Sequence, residues 1–122
     1  MKKILVVDDE KEIRDLLKTR LEKGGYAAMA ASSGEEALSI CRRSLPDLLL
    51  LDIAMPGMDG YAVAAEIKKE KNSRNLPIIF LTAKELTYES IEKRVGEVGA
   101  YDFVIKPCSF KELTEKIKSA IG

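Results

Sequence analysis

The chain has 122 residues, 46% apolar and 33% charged, the balance of one soluble domain able to bury a core without staples. Its 20 basic and 20 acidic residues cancel, so no charge excess favours direct nucleic-acid binding or an anionic membrane. No apolar run reaches the length of a membrane span, and with no histidine the Ser-His-Asp and Cys-His routes are closed.

The opening "MKKILVVDDE" turns acidic too early for a secretory signal, so a cytoplasmic location is expected. Residues 3–7, "KILVV", are β-branched and apolar, a buried strand. In 12–23 the spacing puts Ile13, Leu16, Leu17 and Leu21 on one helical face, and Gly24 and Gly25 stop that helix. "YAAMAA" (26–31) predicts a weaker strand. The segment 33–43 opens with Ser33 and Glu36 at capping-box spacing and runs helical, with Cys41 near its end. Cys41 and Cys108 read as reduced thiols.

"DLLLL" (47–51) is a fully buried strand that runs straight into Asp52. A helix with a small-residue face follows over 60–70, then a buried strand over 76–81. Residues 87–98 place Ile91, Val95 and Val98 on one face, with Gly96 weakening the helix. "YDFVI" (101–105) is the last strand. A Ser109–Glu112 capping box starts a helix over 109–121 that buries Phe110, Leu113, Ile117 and Ile121. Continuously apolar strands alternating with helices predict a five-stranded parallel sheet covered on both faces. The expected fold is a doubly wound, flavodoxin-like α/β sandwich of strand order 2-1-3-4-5, forming one domain over 1–122.

In such a sheet, ligands bind beyond the carboxyl ends of the strands. Those ends carry Asp8, Asp9 and Glu10 after strand one, Asp52 after strand three, Thr82 after strand four, and Lys106 and Pro107 near the end of strand five. Singly, each has an ordinary reading as a solvated acid, a cap or a surface lysine. Together Asp8, Asp9 and Asp52 bring three carboxylates to one edge, with Lys106 and the Thr82 hydroxyl. Clustered carboxylates repel unless balanced, and an all-oxygen donor set points to Mg²⁺. Lys106 adds a mobile positive donor and Thr82 a hydroxyl for an oxyanion. The set suits phosphoryl transfer with one carboxylate as nucleophile.

The segments "VVDDE" (6–10), "LLLLDIAMPGMDG" (48–60), "IIFLTA" (78–83) and "GAYDFVIKP" (99–107) resemble the receiver domain of two-component response regulators, of which the chemotaxis receiver is the small prototype. The resemblance covers essentially the whole chain. It implies that Asp52 is the phosphoacceptor, taking a phosphoryl group from a sensor histidine kinase or histidine phosphotransfer protein. It implies Mg²⁺ held by Asp9 directly, by Asp8 often through water, by Asp52, and by the backbone carbonyl of Ala54. Thr82 resembles the switch hydroxyl, and Lys106 the lysine that pairs with the acyl phosphate. Phe103 holds the aromatic switch position and is expected to swing inward as Thr82 moves. The Lys106–Pro107 bond is expected to be cis.

The resemblance further implies autocatalysed phosphorylation and slow dephosphorylation rather than conventional enzyme activity. Its output face is the fourth helix, fifth strand and fifth helix, through which a downstream effector, or a second copy after phosphorylation, would dock. Two departures from the family pattern stand out. The stretch from Thr82 to Phe103 is longer than usual and contains Gly96. Ala54 and Lys84 occupy positions that in the family influence acyl-phosphate hydrolysis.

Other functions fit less well. A haloacid-dehalogenase-type phosphatase wants Asp-x-Asp then threonine, which "DDEKE" does not supply. A flavodoxin needs a hydroxyl- and glycine-rich loop after strand one, and here that loop is acidic and would repel the FMN phosphate. A degenerate docking receiver would lack one of Asp9, Asp52 or Lys106.

Overall fold

The computed structural model describes residues 1–82, 88–106 and 109–122. Five strands alternate with five helices among them. The order is β1 (Lys3–Val7), α1 (Lys11–Lys23), β2 (Ala27–Ala31), α2 (Gly34–Arg43), β3 (Leu48–Asp52), α3 (Gly60–Lys69), β4 (Ile78–Thr82), α4 (Tyr88–Val98), β5 (Asp102–Ile105) and α5 (Phe110–Ile121). The strands form one parallel sheet in the order β2-β1-β3-β4-β5. This is the doubly wound α/β architecture that the alternating pattern predicts. Pro107, Cys108 and Lys84 lie outside the described residues, and with them the expected cis bond. No described helix is long and apolar enough to cross a membrane.

The strands are apolar throughout because both faces of the sheet are covered. Leu5, Val7, Leu49, Leu51, Ile78, Phe80 and Phe103 point to one core, shared with Ala37, Val63, Ile67, Ile91 and Val95 of α2, α3 and α4. The alternate residues Ile4, Val6, Leu48, Leu50, Ile79, Leu81 and Val104 point to the other, shared with Leu21, Leu113 and Ile117 of α1 and α5. Full burial of such side chains contributes roughly 1.5–3 kcal/mol each. The central strand β3 and its neighbours β1 and β4 are thus buried on both faces along nearly their whole length. Cys41 is buried in the first core, where desolvation pushes its thiol up to about 11.

Capping follows the sequence closely. Ser33 Oγ accepts from Glu36 N at 3.2 Å, while Glu36 Oε1 accepts from Ser32 N at 2.6 Å, one residue before the N-cap rather than at Ser33 itself. Ser109 Oγ accepts from Glu112 N, and Asp59 Oδ1 accepts from Ala62 N to start α3. Gly24 ends α1, and Gly25 turns the chain at φ +93°.

Three expectations need correction. Leu16 is 54% exposed: Ile13, Leu17 and Leu21, four residues apart, set the inward stripe of α1, and Leu16 falls outside it. Phe110 and Ile121 are only partly buried, packing at the rim of the second core. Strand β4 runs over Ile78–Thr82 rather than 76–81, so Thr82 belongs to the strand, and Leu76 instead packs from a turn closed by its N–H on the Ser73 carbonyl. Gly96 is accommodated within α4, where it faces solvent with open space around it.

Candidate functional site

Parallel pairing puts the ends of β1, β3 and β4 side by side. Val7 pairs with Leu51, Asp52 with Leu81, and Thr82 with Ile105. The next residue after β1 is Asp8, which is fully buried. Asp52 ends β3 at 5% exposure and Thr82 ends β4 at 1%. The Lys106 N–H donates to the Thr82 carbonyl at 2.6 Å, so the chain leaving β5 stays against β4. Its side chain then turns back over the sheet edge. Lys106 Nζ donates to Asp8 Oδ2 at 2.9 Å and lies 3.5 Å from Asp52 Oδ1.

The local sequence after β3 fixes Asp52 from the other side. Gly60 N donates to the Ile53 carbonyl at 2.9 Å, drawing the start of α3 onto the end of β3. A Cβ at Gly60 would stand 2.4 Å from the Asp52 carbonyl oxygen and 2.8 Å from Ile53 Cα, so only glycine allows this approach. Between them, "AMPG" leaves Ala54 exposed and turns at Gly57, φ +77°.

The electrostatics follow from burial. Desolvation raises the Asp52 carboxyl to about 6, an effect opposed by Lys106 and reinforced by the charges of Asp8 and Asp9. Burial works against the Lys106 ammonium, but its hydrogen bond to Asp8 and the charges of Asp52 and Asp8 outweigh that and raise its pKa. Among the described residues, no buried side-chain nitrogen or oxygen lacks a hydrogen-bond partner.

Asp9 and Glu10 are exposed beside buried Asp8, and one carboxylate oxygen from each of the three lies within 4.8 Å of the others. These donors are hard oxygens with no imidazole, the set that suits Mg²⁺ rather than zinc or copper. Phe103, expected to swing inward, is already buried at 7% exposure in the first core.

The structure thus joins Asp8 and Asp52 through Lys106, sets Asp9 beside Asp8, and ends the neighbouring strand at Thr82, while the close carboxylate group is Asp8, Asp9 and Glu10, without Asp52. Sequence reasoning left two neighbours out of the site. Glu10 completes the acidic cluster. Arg14 donates from Nη1 to the Asp8 carbonyl at 2.7 Å. The one sequence signal for Arg14 is its place four residues after Glu10, one turn into α1 above the acidic loop.

The family model described as "Response regulator receiver domain" matches residues 4–118. A curated relative, the "Probable transcriptional regulator ycf27" of Porphyra purpurea, is 49% identical over 120 residues, covering 98% of this chain and 47% of that protein. The chain thus spans about half the length of the curated relatives it matches. Its backbone superposes on Vibrio cholerae chemotaxis protein CheY4 with a TM-score of 0.91 at 28% identity, covering 98% of each chain. It superposes on response regulator TrrA of Thermotoga maritima, solved in complex with Mg²⁺-BeF, with a TM-score of 0.85 at 42% identity, covering 98% and 99%. With the sheet order, the strand-end cluster and the sequence match in agreement, the chain belongs to the response regulator receiver domain family.

Proposed function

We propose that Asp52 is the phosphoacceptor of this receiver and that its phosphorylation switches an output surface. The observation that carries this reading is the convergence of buried Asp52 and Asp8 on Lys106 at the carboxyl edge of the sheet. In the reaction, an Asp52 carboxylate oxygen attacks the phosphorus of a phosphohistidine on a sensor kinase or phosphotransfer protein. An O–P bond forms, the N–P bond breaks, and its electron pair leaves with the imidazole. Asp52 attacks as the anion.

Asp8, Asp9, Asp52 and the Ala54 carbonyl would hold Mg²⁺, which when bound would supply positive charge to offset that of the phosphoryl oxygens. Lys106, within reach of Asp52 already, would pair with a phosphoryl oxygen, and the Thr82 hydroxyl would donate to another. The added charge then biases two conformations through Thr82 and Phe103, which lie on adjacent strands. Because Phe103 is buried here, the switch would act on its packing rather than on an outward-facing ring. Helix α4, strand β5 and helix α5 would carry the output to an effector in the cytoplasm or to a second phosphorylated copy.

The test is incubation with a small acyl-phosphate donor, read by intact mass. Wild type with Mg²⁺ gains one phosphoryl group, and Asp52→Asn or chelation of the metal abolishes the gain. An undiminished gain in Asp52→Asn would overturn the assignment.

A further inference from the structure

We infer that Arg14 is the positioning residue of the acidic loop, holding Asp8 and Asp9 in the arrangement that binds the metal. This rests on the metal reading given above. The Arg14 guanidinium bonds to the main chain at the Asp8 carbonyl, the peptide that leads to Asp9.

Asp8 is pinned from four directions. Its N–H donates to the Ala31 carbonyl of β2 at 3.2 Å. Its Oδ1 accepts from Glu10 N at 2.9 Å, and its Oδ2 accepts from Lys106 Nζ. Its carbonyl accepts from Arg14 Nη1 at 2.7 Å. That carbonyl belongs to the peptide joining Asp8 to Asp9. Its orientation fixes where the chain carries Asp9 and Glu10, whose carboxylates gather beside Asp8.

The start of α1 shows why a separate clamp is needed. Helices α2, α3 and α5 each begin with a serine or aspartate side chain that caps a backbone N–H. Helix α1 has Glu10 as its N-cap residue, whose side chain makes no capping hydrogen bond. The Glu10 side chain stays with the acidic cluster, so at the N-cap the loop is tied to the helix by the Asp8 Oδ1–Glu10 N–H bond and by no N-cap side chain. Arg14 supplies a second tie from one turn inside the helix. Its own N–H bonds to the Glu10 carbonyl at 3.1 Å while its guanidinium reaches back to Asp8. The long planar donor reaches a carbonyl that a shorter side chain would miss.

Charge and position predict opposite outcomes. A guanidinium near a cation site repels the cation, so if Arg14 acted only through space, removing it would tighten Mg²⁺ binding. If it positions the loop, removing it weakens binding, as loss of an outer-shell partner does.

The experiment is calorimetric titration of the metal-free full chain with MgCl₂, comparing wild type, Arg14→Met and Arg14→Lys, with thermal melts as a folding check. Arg14→Met is expected to bind Mg²⁺ about 10-fold more weakly. Affinity equal to or tighter than wild type overturns the inference. If Arg14→Met does not fold, Arg14→Lys takes its place with the same direction expected and the same reversal decisive. Amide exchange of the metal-free proteins supplies a second readout. The Glu10 N–H, bonded to Asp8 Oδ1, should exchange faster in the variant while amides of β3 do not change. An unchanged Glu10 rate overturns the inference even if wild type binds no Mg²⁺, an outcome that would itself refute the metal reading instead.

Discussion

Lys106 reaches Asp8 across the edge of the sheet, Nζ to Oδ2 at 2.9 Å, from 98 residues away in sequence. Asp8 is fully buried and the Lys106 side chain 25% exposed, so this ion pair is buried on the Asp8 side and partly open to solvent at Lys106. The same ammonium is the nearest cation to Asp52 that the hydrogen bonds identify. One lysine therefore balances two buried carboxylates in the metal-free protein.

Removing that lysine should leave both acids uncompensated. Breaking one side of a buried pair costs about 3–5 kcal/mol, and partial exposure of Lys106 places this case toward the lower end. Lys106→Met is expected to lose about 3 kcal/mol in urea denaturation of the metal-free protein at pH 7. Saturating Mg²⁺ should recover part of the loss, since the bound cation supplies the missing charge. A variant as stable as wild type without Mg²⁺ would show that the pair contributes little.

The raised Asp52 carboxyl makes stability depend on pH with a definite sign. Its ordinary pKa is 3.8, and in the fold burial raises it to about 6. Protonation therefore stabilises the folded state. That contribution is fully present below 3.8 and is lost as pH rises through 6. Asn at this position does not titrate. Metal-free Asp52→Asn should match wild type near pH 4 and exceed it above pH 6, by about 3 kcal/mol at most, since each pH unit is worth about 1.4 kcal/mol. Denaturation curves across pH 4–8 measure the gap. Adding Mg²⁺ at pH 7 should narrow or reverse it, because wild type retains the carboxylate ligand. A gap that does not vary with pH would show that Asp52 ionises as it does in water.

Much of this was legible because the sheet is parallel and covered on both faces. "KILVV", "DLLLL" and "LPIIFL" announce themselves as buried strands, and the fold then dictates that Asp8, Asp52 and Thr82 meet at one edge. What was not legible depends on how long side chains reach. Leu16 has the apolar character of its neighbours, and only the rotation of α1 on the sheet puts it outside. The contact from Arg14 to the Asp8 carbonyl has no compositional mark, because any exposed helix shows such an arginine. Burial of Phe103 follows from its pairing with Phe80, a relation that registers in the sheet and not in the linear spacing.

Gly60 tests how tightly the backbone of Asp52 is held. A methyl group there meets main-chain atoms, the Asp52 carbonyl oxygen and Ile53 Cα, which cannot move aside as a side chain does. Overpacking costs typically about 1–3 kcal/mol. Gly60→Ala should lose stability in that range and, by displacing the end of β3, slow phosphoryl acceptance more than its stability loss accounts for. Single-turnover phosphorylation at a temperature where the variant is fully folded separates the two effects. A normal rate would mean that α3 gives way and Asp52 stays in place.

Arg94 and Tyr61 tie helix α4, part of the proposed output face, to the core. The Arg94 guanidinium carbon sits 4.1 Å from the Tyr61 ring centroid, and Tyr61 packs edge-on against Phe80 at 5.2 Å. Phe80 is fully buried in β4, two residues before Thr82, and it pairs with Phe103. Helix α4 is thus linked through two rings to the strands that carry the proposed switch. A cation over an aromatic face is worth about 0.5–2 kcal/mol, the upper values requiring desolvation, and Arg94 is exposed. A double-mutant cycle of Arg94→Met and Tyr61→Leu should therefore return a coupling of about 0.5–1 kcal/mol. Tyr61→Leu should also speed amide exchange in α4 while leaving α1 unchanged, because the ring it removes contacts one helix and not the other. Zero coupling with faster exchange would mean that Tyr61 acts through apolar packing alone, and unchanged exchange would sever the link between α4 and β4.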